Sequence, residues 1–500
     1  MPATLHAIKR NVWTYRLLSA TLLMALGGCS LAPTYHKPAV AIPVAFKENS
    51  GIWQAAQPSD QLPRGEWWTI YGNSVLNGLE AQLNQANPTL ATMLARYDSA
   101  RAFESQLSSG LFPHAGVEAS PGHDRQSVNR VFRGRNQPNE SDDNDLSFSA
   151  GYELDLWGRV RNEVAAGRAQ AEAAEADTAS VTLSLQAQLA DVYIQLQGYD
   201  IQAKILDDSI QAYQQALTLT QARFAGEIAS QLDVARAKAQ LDDAQAQASE
   251  VSAQRALAEH AIASLIGQPA SSFSLPVAPV SLQVPAIPLS VPSTLLQRRP
   301  DIAAAERRTF AANAEIGVAR AAFFPSLSIN AMAGWQNTNN GNLLTAANQF
   351  WALGPLAALP LFDGGLRKAQ ERQAKANLDI AASEYRSLVL SAFQHVEDNL
   401  SLLNHLGREA QQESDAAAAA QQAQDIATHR YREGIVNYLE VVTAQTATLV
   451  AERNTEQVRT RQLQASVDLI RALGGGWDGA MTPATTQAPP AKGEPIAQAR

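Results

Sequence analysis

The sequence predicts a mainly α-helical chain with a membrane-inserted β part, built as two structural repeats of strand, strand, long helix, turn, helix. Three observations carry that reading. The first is an internal echo: Phe112-Pro113 matches Phe324-Pro325, ELDLWGRVR (153–161) matches ALPLFDGGLR (358–367) with Trp157 against Phe362, and RFAGEIASQLDV (223–234) matches RYREGIVNYLEV (430–441). The offsets all lie between 205 and 212 residues, which marks a duplicated unit. The second is length without breakers. From Arg159 to Phe224 there is no proline and only Gly167 and Gly198 interrupt, and residues 366–430 repeat this; a continuous helix of that size reaches roughly 100 Å at 1.5 Å per residue. The third is a switch of period. The Ala-rich helical pattern of 298–321 gives way at Phe323-Phe324-Pro325 to Leu327, Ile329, Ala331, Ala333 and Trp335 alternating with Ser326, Ser328, Asn330, Met332 and Gly334, the pattern of a strand with one apolar and one polar face.

In chain order, the N-terminus carries Lys9, Arg10 and Arg16, then an apolar run from Leu17 to Leu26, then Gly27-Gly28-Cys29. The run is too short to span a bilayer as a helix and reads as a secretory signal peptide over 1–28 with a lipoprotein processing site at Cys29. Acylation of Cys29 is the expected lipid anchor. It is the only cysteine in the chain, so disulfides and cysteine metal sites are excluded. Loss of the leader, which has three basic residues and no acid, takes the net charge from −9 to −12. An acidic balance without a basic cluster argues against nucleic acid as partner.

Residues 29–65 hold Pro33, Pro38, Pro43, Pro58 and Pro63 and read as an extended arm. Repeat 1 occupies 66–267, a Pro- and Ser-rich linker 268–297, repeat 2 298–477, and a polar disordered tail 478–500. In repeat 1, Leu146, Phe148, Ala150, Tyr152, Leu154 and Leu156 alternate with polar residues, while 112–119 and 350–361 alternate less cleanly and Pro355 weakens the last strand. Residues 120–145 and 336–349 are polar and rich in Gly, Asn and Asp, as external connections should be.

Strands of about 9 to 11 residues with one apolar face suit a transmembrane barrel wall. Four strands cannot close a barrel, and lipid tolerates no open edge. Each chain must therefore share its barrel with copies of itself, and three chains give twelve strands under cyclic symmetry. In the last helix Val442, Leu449, Leu463 and Ile470, with Leu439 and Val467, form a heptad seam broken by Thr446, Arg453 and Glu456; helices lining a wet bore accept such residues better than a dry coiled coil does.

Several stretches resemble the TolC-like outer-membrane efflux proteins, in particular the lipoprotein branch of the OprM and NodT type that serves RND-type tripartite systems. They are LGGC at Cys29, EWWTIYGNSVLNGLEAQL, RRPDIAAAERRTFAANAEIGVARAAFFPSLSI, GPLAALPLFDGG and RYREGIVNYLEVVTAQ. The resemblance implies a homotrimer with a twelve-stranded outer-membrane barrel continued by a periplasmic helical barrel. It implies the exit duct of a tripartite pump that passes drugs or other small toxic compounds outward, served by a periplasmic adaptor and an inner-membrane transporter. It also places a periplasmic gate at the helical turns. Leu439, Glu440 and Thr443 would line the closed mouth, with Asp233 and Arg236 at the matching place in the first half. Tyr431 and Arg432 would link neighbouring helices. Relatives often carry Asp where this chain has Thr443, so either Glu440 supplies the ring carboxylate in its place or Glu440 simply faces solvent.

Nothing in the sequence calls for catalysis or a cofactor other than the lipid on Cys29. The eight histidines include no pair at i, i+4 and there is no phosphate-binding loop. A trimeric coiled-coil scaffold or periplasmic adaptor without channel activity is the alternative; it lacks a reason for two strand pairs that each feed long helices.

Overall fold

A computed structural model describes residues 30–43, 45–48, 65–129, 138–285, 287, 298–338 and 341–475. The leader 1–28, Cys29 and the tail 478–500 lie outside the described residues. The chain divides into two compact units, one comprising 1–41, 86–182 and 301–392, the other 42–85, 183–300 and 393–500.

Element order repeats as the sequence suggests. Helices α1 (Ser74–Ala86) and α2 (Pro88–Ser109) precede strands β1 (His114–Arg125) and β2 (Glu140–Glu153), then α3 (Arg159–Ala225) and α4 (Gln231–Leu265). Helix α5 (Pro300–Ala321) leads into β3 (Ser326–Asn337) and β4 (Gln349–Ala358), then α6 (Leu366–Arg432) and α7 (Tyr438–Ala472). Both α3 and α6 are 67 residues long, and both α4 and α7 are 35. Asn87 caps α2, its side chain accepting from the Leu90 N–H ahead of Pro88.

The first unit holds one antiparallel sheet in the order β1-β2-β3-β4. Tyr152 pairs with Ile329 and Leu146 with Trp335 where the two repeats meet. Val117, Phe148, Trp351 and Leu353 are exposed on it, an apolar surface suited to lipid. The strands run further than alternation indicates. Residues 120–125 pair with 140–145, from Ser120 opposite Asp145 to Arg125 opposite Glu140, so the connection expected over 120–145 is strand at both ends. Backbone pairing holds there without an apolar face: Asp124 accepts from Ser141 at 3.1 Å and His123 meets Asp142 at 2.8 Å. At the other end β4 stops at Ala358, three residues before the expected Leu361. Pro355 is accommodated opposite Ile329 because β4 is an edge strand of this sheet.

The two strand-to-helix turns differ. Trp157 stacks on Phe324 with ring centroids 4.6 Å apart and donates its Nε1 to the Pro325 carbonyl at 2.8 Å. Phe362, its sequence counterpart, is 92% exposed. Trp157 stands two residues before its helix and Phe362 four before its own, so the aromatic match does not carry over into space. Asp155 accepts from the N–H groups of Val160 and Arg161, and Asp363 from those of Gly365 and Arg367, so each turn supplies a carboxylate to its helix N-terminus.

The described part of the arm lies along α5. Ser30 Oγ donates to Asn162 Oδ1 at 2.9 Å, Asn313 donates to the Pro33 carbonyl at 2.8 Å, and Tyr35 packs edge-on against Phe310 while its hydroxyl reaches Glu306.

In the second unit Trp67, Trp68 and Tyr71 join Tyr193, Leu196, Leu400, Leu403, Val467 and Leu469 in a buried core. Trp67 Nε1 donates to Gln186, and the Tyr71 hydroxyl meets Ser466 at 2.7 Å, which meets the needs of both polar tips. Gly198, read in the sequence as a helix interruption, is a contact point: a Cβ there would stand 2.5 Å from Thr460 Oγ1 of α7. The described start of the linker is fastened by a buried ion pair. Arg255 bonds Asp200 at 2.6 Å and the Leu275 carbonyl at 2.8 Å, Asp200 accepts from the Ala278 N–H, Glu259 accepts from that of Leu275, and Arg459 donates to the Leu282 carbonyl.

The α7 seam is drier than expected. Leu449, Leu463, Val467 and Ile470 are buried, and so is Glu456, which takes a hydrogen bond from Thr460. Burial pushes the Glu456 carboxyl up to about 7, so it sits inside helix packing rather than on a wet wall. Arg453 turns aside to Gln247; Thr446 is exposed.

Candidate functional site

The residues singled out in the sequence meet at the two helical turns of the second unit, between α3 and α4 and between α6 and α7. Both turns close with the same backbone hydrogen bonds. Ile228 N–H reaches the Arg223 carbonyl at 2.8 Å and Glu227 N–H that of Phe224 at 2.9 Å; Ile435 reaches Arg430 at 2.9 Å and Gly434 reaches Tyr431 at 3.0 Å. This is a Schellman closure, which needs a left-handed residue at the position after the helix. Gly434 supplies it at φ 80°, while the first turn uses Glu227 at φ 61°, the one non-glycine residue with positive φ among the described residues. The glycine of the first turn, Gly226, stands one position too early.

The following helices are capped by different chemistry. Ser230 and Asp233 form a reciprocal capping box: Ser230 Oγ accepts from the Asp233 N–H at 3.2 Å, and the Asp233 carboxylate accepts from the Ser230 N–H at 3.2 Å and hydroxyl at 2.8 Å. Asp233 also meets Arg236 at 3.7 Å. In the second turn Asn437 caps the Glu440 N–H at 3.4 Å, and Glu440 lies exposed in the first turn of α7 where the helix dipole favours an acid. Thr443 donates to the Leu439 carbonyl at 2.8 Å within its own helix, and the Leu439 side chain is 45% exposed. The side chains of Asp233, Arg236 and Thr443 are thus occupied first with local helix chemistry, while those of Leu439 and Glu440 present exposed surface.

Tyr431 is the residue that joins the two turns. It is buried against Tyr438 at 5.3 Å, with Tyr213, Leu217, Ala237, Leu241 and Val441 in the same cluster. The Arg223 guanidinium lies 4.5 Å over the Tyr431 ring and donates to the carbonyls of Tyr431 at 2.7 Å and Arg432 at 2.9 Å. Thr220 Oγ1 is 3.3 Å from the Tyr431 hydroxyl. One cation from the end of α3 therefore neutralises the carbonyl end of α6 and covers its aromatic ring, so three favourable terms converge. Arg432 takes part through its carbonyl while its side chain is exposed.

Sequence reasoning named Tyr431 and missed Arg223. Its partners are two backbone carbonyls about two hundred positions away, and backbone acceptors leave no mark in sequence. Its repeat-mate Arg430 offers the only hint, as an arginine held at the same turn position. Tyr213 is a second omission: its hydroxyl donates to the Gln445 carbonyl at 3.2 Å, and burial pushes the phenol up to about 12. The Tyr438 hydroxyl has no hydrogen-bond partner among the described residues, and burial raises it further. No group of histidine, cysteine or acidic side chains suited to hold a metal occurs among the described residues.

A model of the outer membrane efflux protein family matches residues 79–268 and 291–475. The chain is 31% identical over 468 residues to the probable efflux pump outer membrane protein SepC of Pseudomonas putida, covering 92% of this chain and 97% of that one. It is 31% identical over 468 residues to the pyoverdine export outer membrane protein OpmQ of Pseudomonas aeruginosa, covering 92% and 96%. Among solved structures the outer-membrane channel OprN superposes with a TM-score of 0.83 at 31% identity, covering 90% of this chain and all of that one.

Proposed function

Since the chain belongs to the outer membrane efflux protein family, and is on that footing the outer-membrane exit duct of an efflux pump, we propose that it works as a homotrimer gated at the α3–α4 and α6–α7 turns. The observation that carries the trimer is the sheet: its four strands run in the order β1-β2-β3-β4 and leave β1 and β4 as edges. Edges in lipid must pair, and three copies close a barrel of twelve strands.

The gate reading rests on the tip geometry. Leu439 and Glu440 are exposed at the start of α7, so threefold assembly turns each into a ring. Thr443 lies one turn further on and Asp233 and Arg236 at the mate positions. Tyr431, with Arg432, holds the turns together through Arg223. Opening is a separation of the α6–α7 hairpin from the α3–α4 hairpin, set off by a periplasmic adaptor that couples the duct to an inner-membrane RND-type transporter. The cargo class is small toxic organic compounds, chosen upstream of a duct that selects by access and charge. Cys29 lies outside the described residues; its acylation is supported by the docking of Ser30 on Asn162, one turn into the helix that leaves β2, which puts the start of the mature chain beside the strand ends.

The test is to purify the full chain in detergent, measure its mass, and record conductance in planar bilayers. A mass of three chains, a small resting conductance, and a rise in the Leu439→Ala, Tyr431→Phe double variant are the expected results. A single-chain mass, or conductance unchanged by the double variant, would overturn the trimer or the gate respectively.

A further inference from the structure

The in-chain latch has a counterpart with no occupant. The two turns align without a gap, Arg223 on Arg430, Phe224 on Tyr431 and Ala225 on Arg432, and their shared backbone hydrogen bonds confirm the alignment in space. In the chain, Arg223 of the first hairpin grips the end of α6 in the second. The mate relation is Arg430 of the second hairpin gripping the end of α3 in a first hairpin. The Arg430 guanidinium has no such partner among the described residues and its side chain is exposed, and the Phe224 ring that corresponds to Tyr431 is 46% exposed.

We propose that Arg430 binds the C-terminal end of α3 on a second copy of this chain, its guanidinium donating to the carbonyls of Phe224 and Ala225 of the partner subunit over the ring of Phe224 of the partner subunit. This rests on the trimeric reading. Two observations commit the site to a second copy. One is charge complementarity: a helix C-terminus carries partial negative charge, and a forked cation fits two adjacent carbonyls. The other is a paired change between the mates. The in-chain latch places Thr220 against the Tyr431 hydroxyl at 3.3 Å. Their mates are Ala427 and Phe224, so the hydroxyl is missing from both sides at once. An aromatic hydroxyl facing alanine would have no partner in this latch, whereas Thr220 also donates to the Ala216 carbonyl at 2.8 Å; the chain avoids the aromatic mismatch by carrying Phe224 opposite Ala427. A duplicated unit arranged around a threefold axis then has six alternating latches, three within chains and three between them.

The experiment uses full-length protein in detergent, its mass measured by light scattering, with Arg430→Cys and Ala225→Cys introduced together and treated with a short bis-maleimide. The mate pair Arg223→Cys with Arg432→Cys serves as the in-chain control. The expected result is a ladder of two- and three-chain species from the first pair, none from either single variant, and an internally linked single chain from the control. Arg430→Ala should raise resting open probability about tenfold, as expected for loss of charge-assisted hydrogen bonds, and Arg430→Lys should recover part of it. A three-chain mass with a linked control and no ladder would overturn the contact and leave the trimer standing. A single-chain mass would overturn both.

Discussion

At the first turn an arginine is spent on the opposite hairpin, a serine and an aspartate satisfy each other, and a glutamate is bent into a left-handed conformation. At the second turn the mate arginine is exposed, a lone asparagine caps, and a glycine takes the left-handed position. The backbone hydrogen bonds are nevertheless the same. Duplication thus conserved the loop that reverses the chain, and divergence acted on what the side chains reach. The mate leucines Leu232 and Leu439 are exposed at both turns; the first turn is locally strained and holds its acid Asp233 in the capping box, whereas the second leaves Glu440 exposed. A gate needs both kinds of turn, one that holds and one that lines the mouth.

The largest way to break this difference is Arg223→Ala. It removes two charge-assisted hydrogen bonds, each worth roughly 1.5–3 kcal/mol, and a cation–π contact of about 0.5–2 kcal/mol. Resting open probability in planar bilayers should rise by at least about tenfold, since each 1.4 kcal/mol is a factor of ten. Arg223→Lys should fall between, because an ammonium keeps the charge and loses the fork. An unchanged closed state in Arg223→Ala would remove the latch from the account.

The hairpins differ again further from the turns. Glu456 of α7 is buried with its carboxyl pushed up to about 7, and its mate in α4 is the exposed Ser249. A carboxyl whose folded pKa lies above its unfolded one favours folding in its neutral form. That stability is full below the unfolded value of 4.5 and is lost as pH rises through about 7. Glu80 and Asp191, pushed by burial to about 9 and about 8, act in the same direction at higher pH. Thermal midpoints followed by circular dichroism should therefore fall from pH 5 to pH 8, and Glu456→Gln should flatten the lower part of that slope. A slope identical to that of the parent would show Glu456 ionised in the fold.

Much of this was legible because helices announce themselves by what they lack. The long proline-free stretches announced α3 and α6, and the repeated segments ELDLWGRVR/ALPLFDGGLR and RFAGEIASQLDV/RYREGIVNYLEV placed their ends to within two residues. The strands were legible only where one face is apolar. Residues 120–125 and 140–145 are paired through backbone alone, and sequence shows no trace of a ladder between two polar segments. Asp233, placed at the first-half gate position by the resemblance, also completes the capping box that the pattern Ser230-x-x-Asp233 spells. Arg223 was out of reach, since nothing marks a carbonyl as an acceptor for a distant guanidinium.

Smaller changes sharpen the comparison. Ser230→Ala opens the capping box and should cost about 1 kcal/mol, more than Asn437→Ala, because Asp233 loses its reciprocal partner as well. The smallest expected effect is also the cleanest. Glu227 and Gly434 occupy the same left-handed position in the same hydrogen-bonded loop, and a non-glycine residue there costs on the order of 1 kcal/mol. Glu227→Gly should therefore stabilise the first turn by something under that figure, offset in part by the greater freedom of glycine in the unfolded chain. Gly434→Ala should destabilise the second by a similar amount. Hydrogen exchange at the Ile228 and Ile435 amides, which close the two loops, reads each effect where it arises. If exchange at Ile228 slows in Glu227→Gly while conductance stays at the parent level, the strain is a relic of where the glycine fell after duplication. If the channel also becomes harder to open, the left-handed glutamate belongs to the gate, holding the first turn in a state that adaptor contact can release.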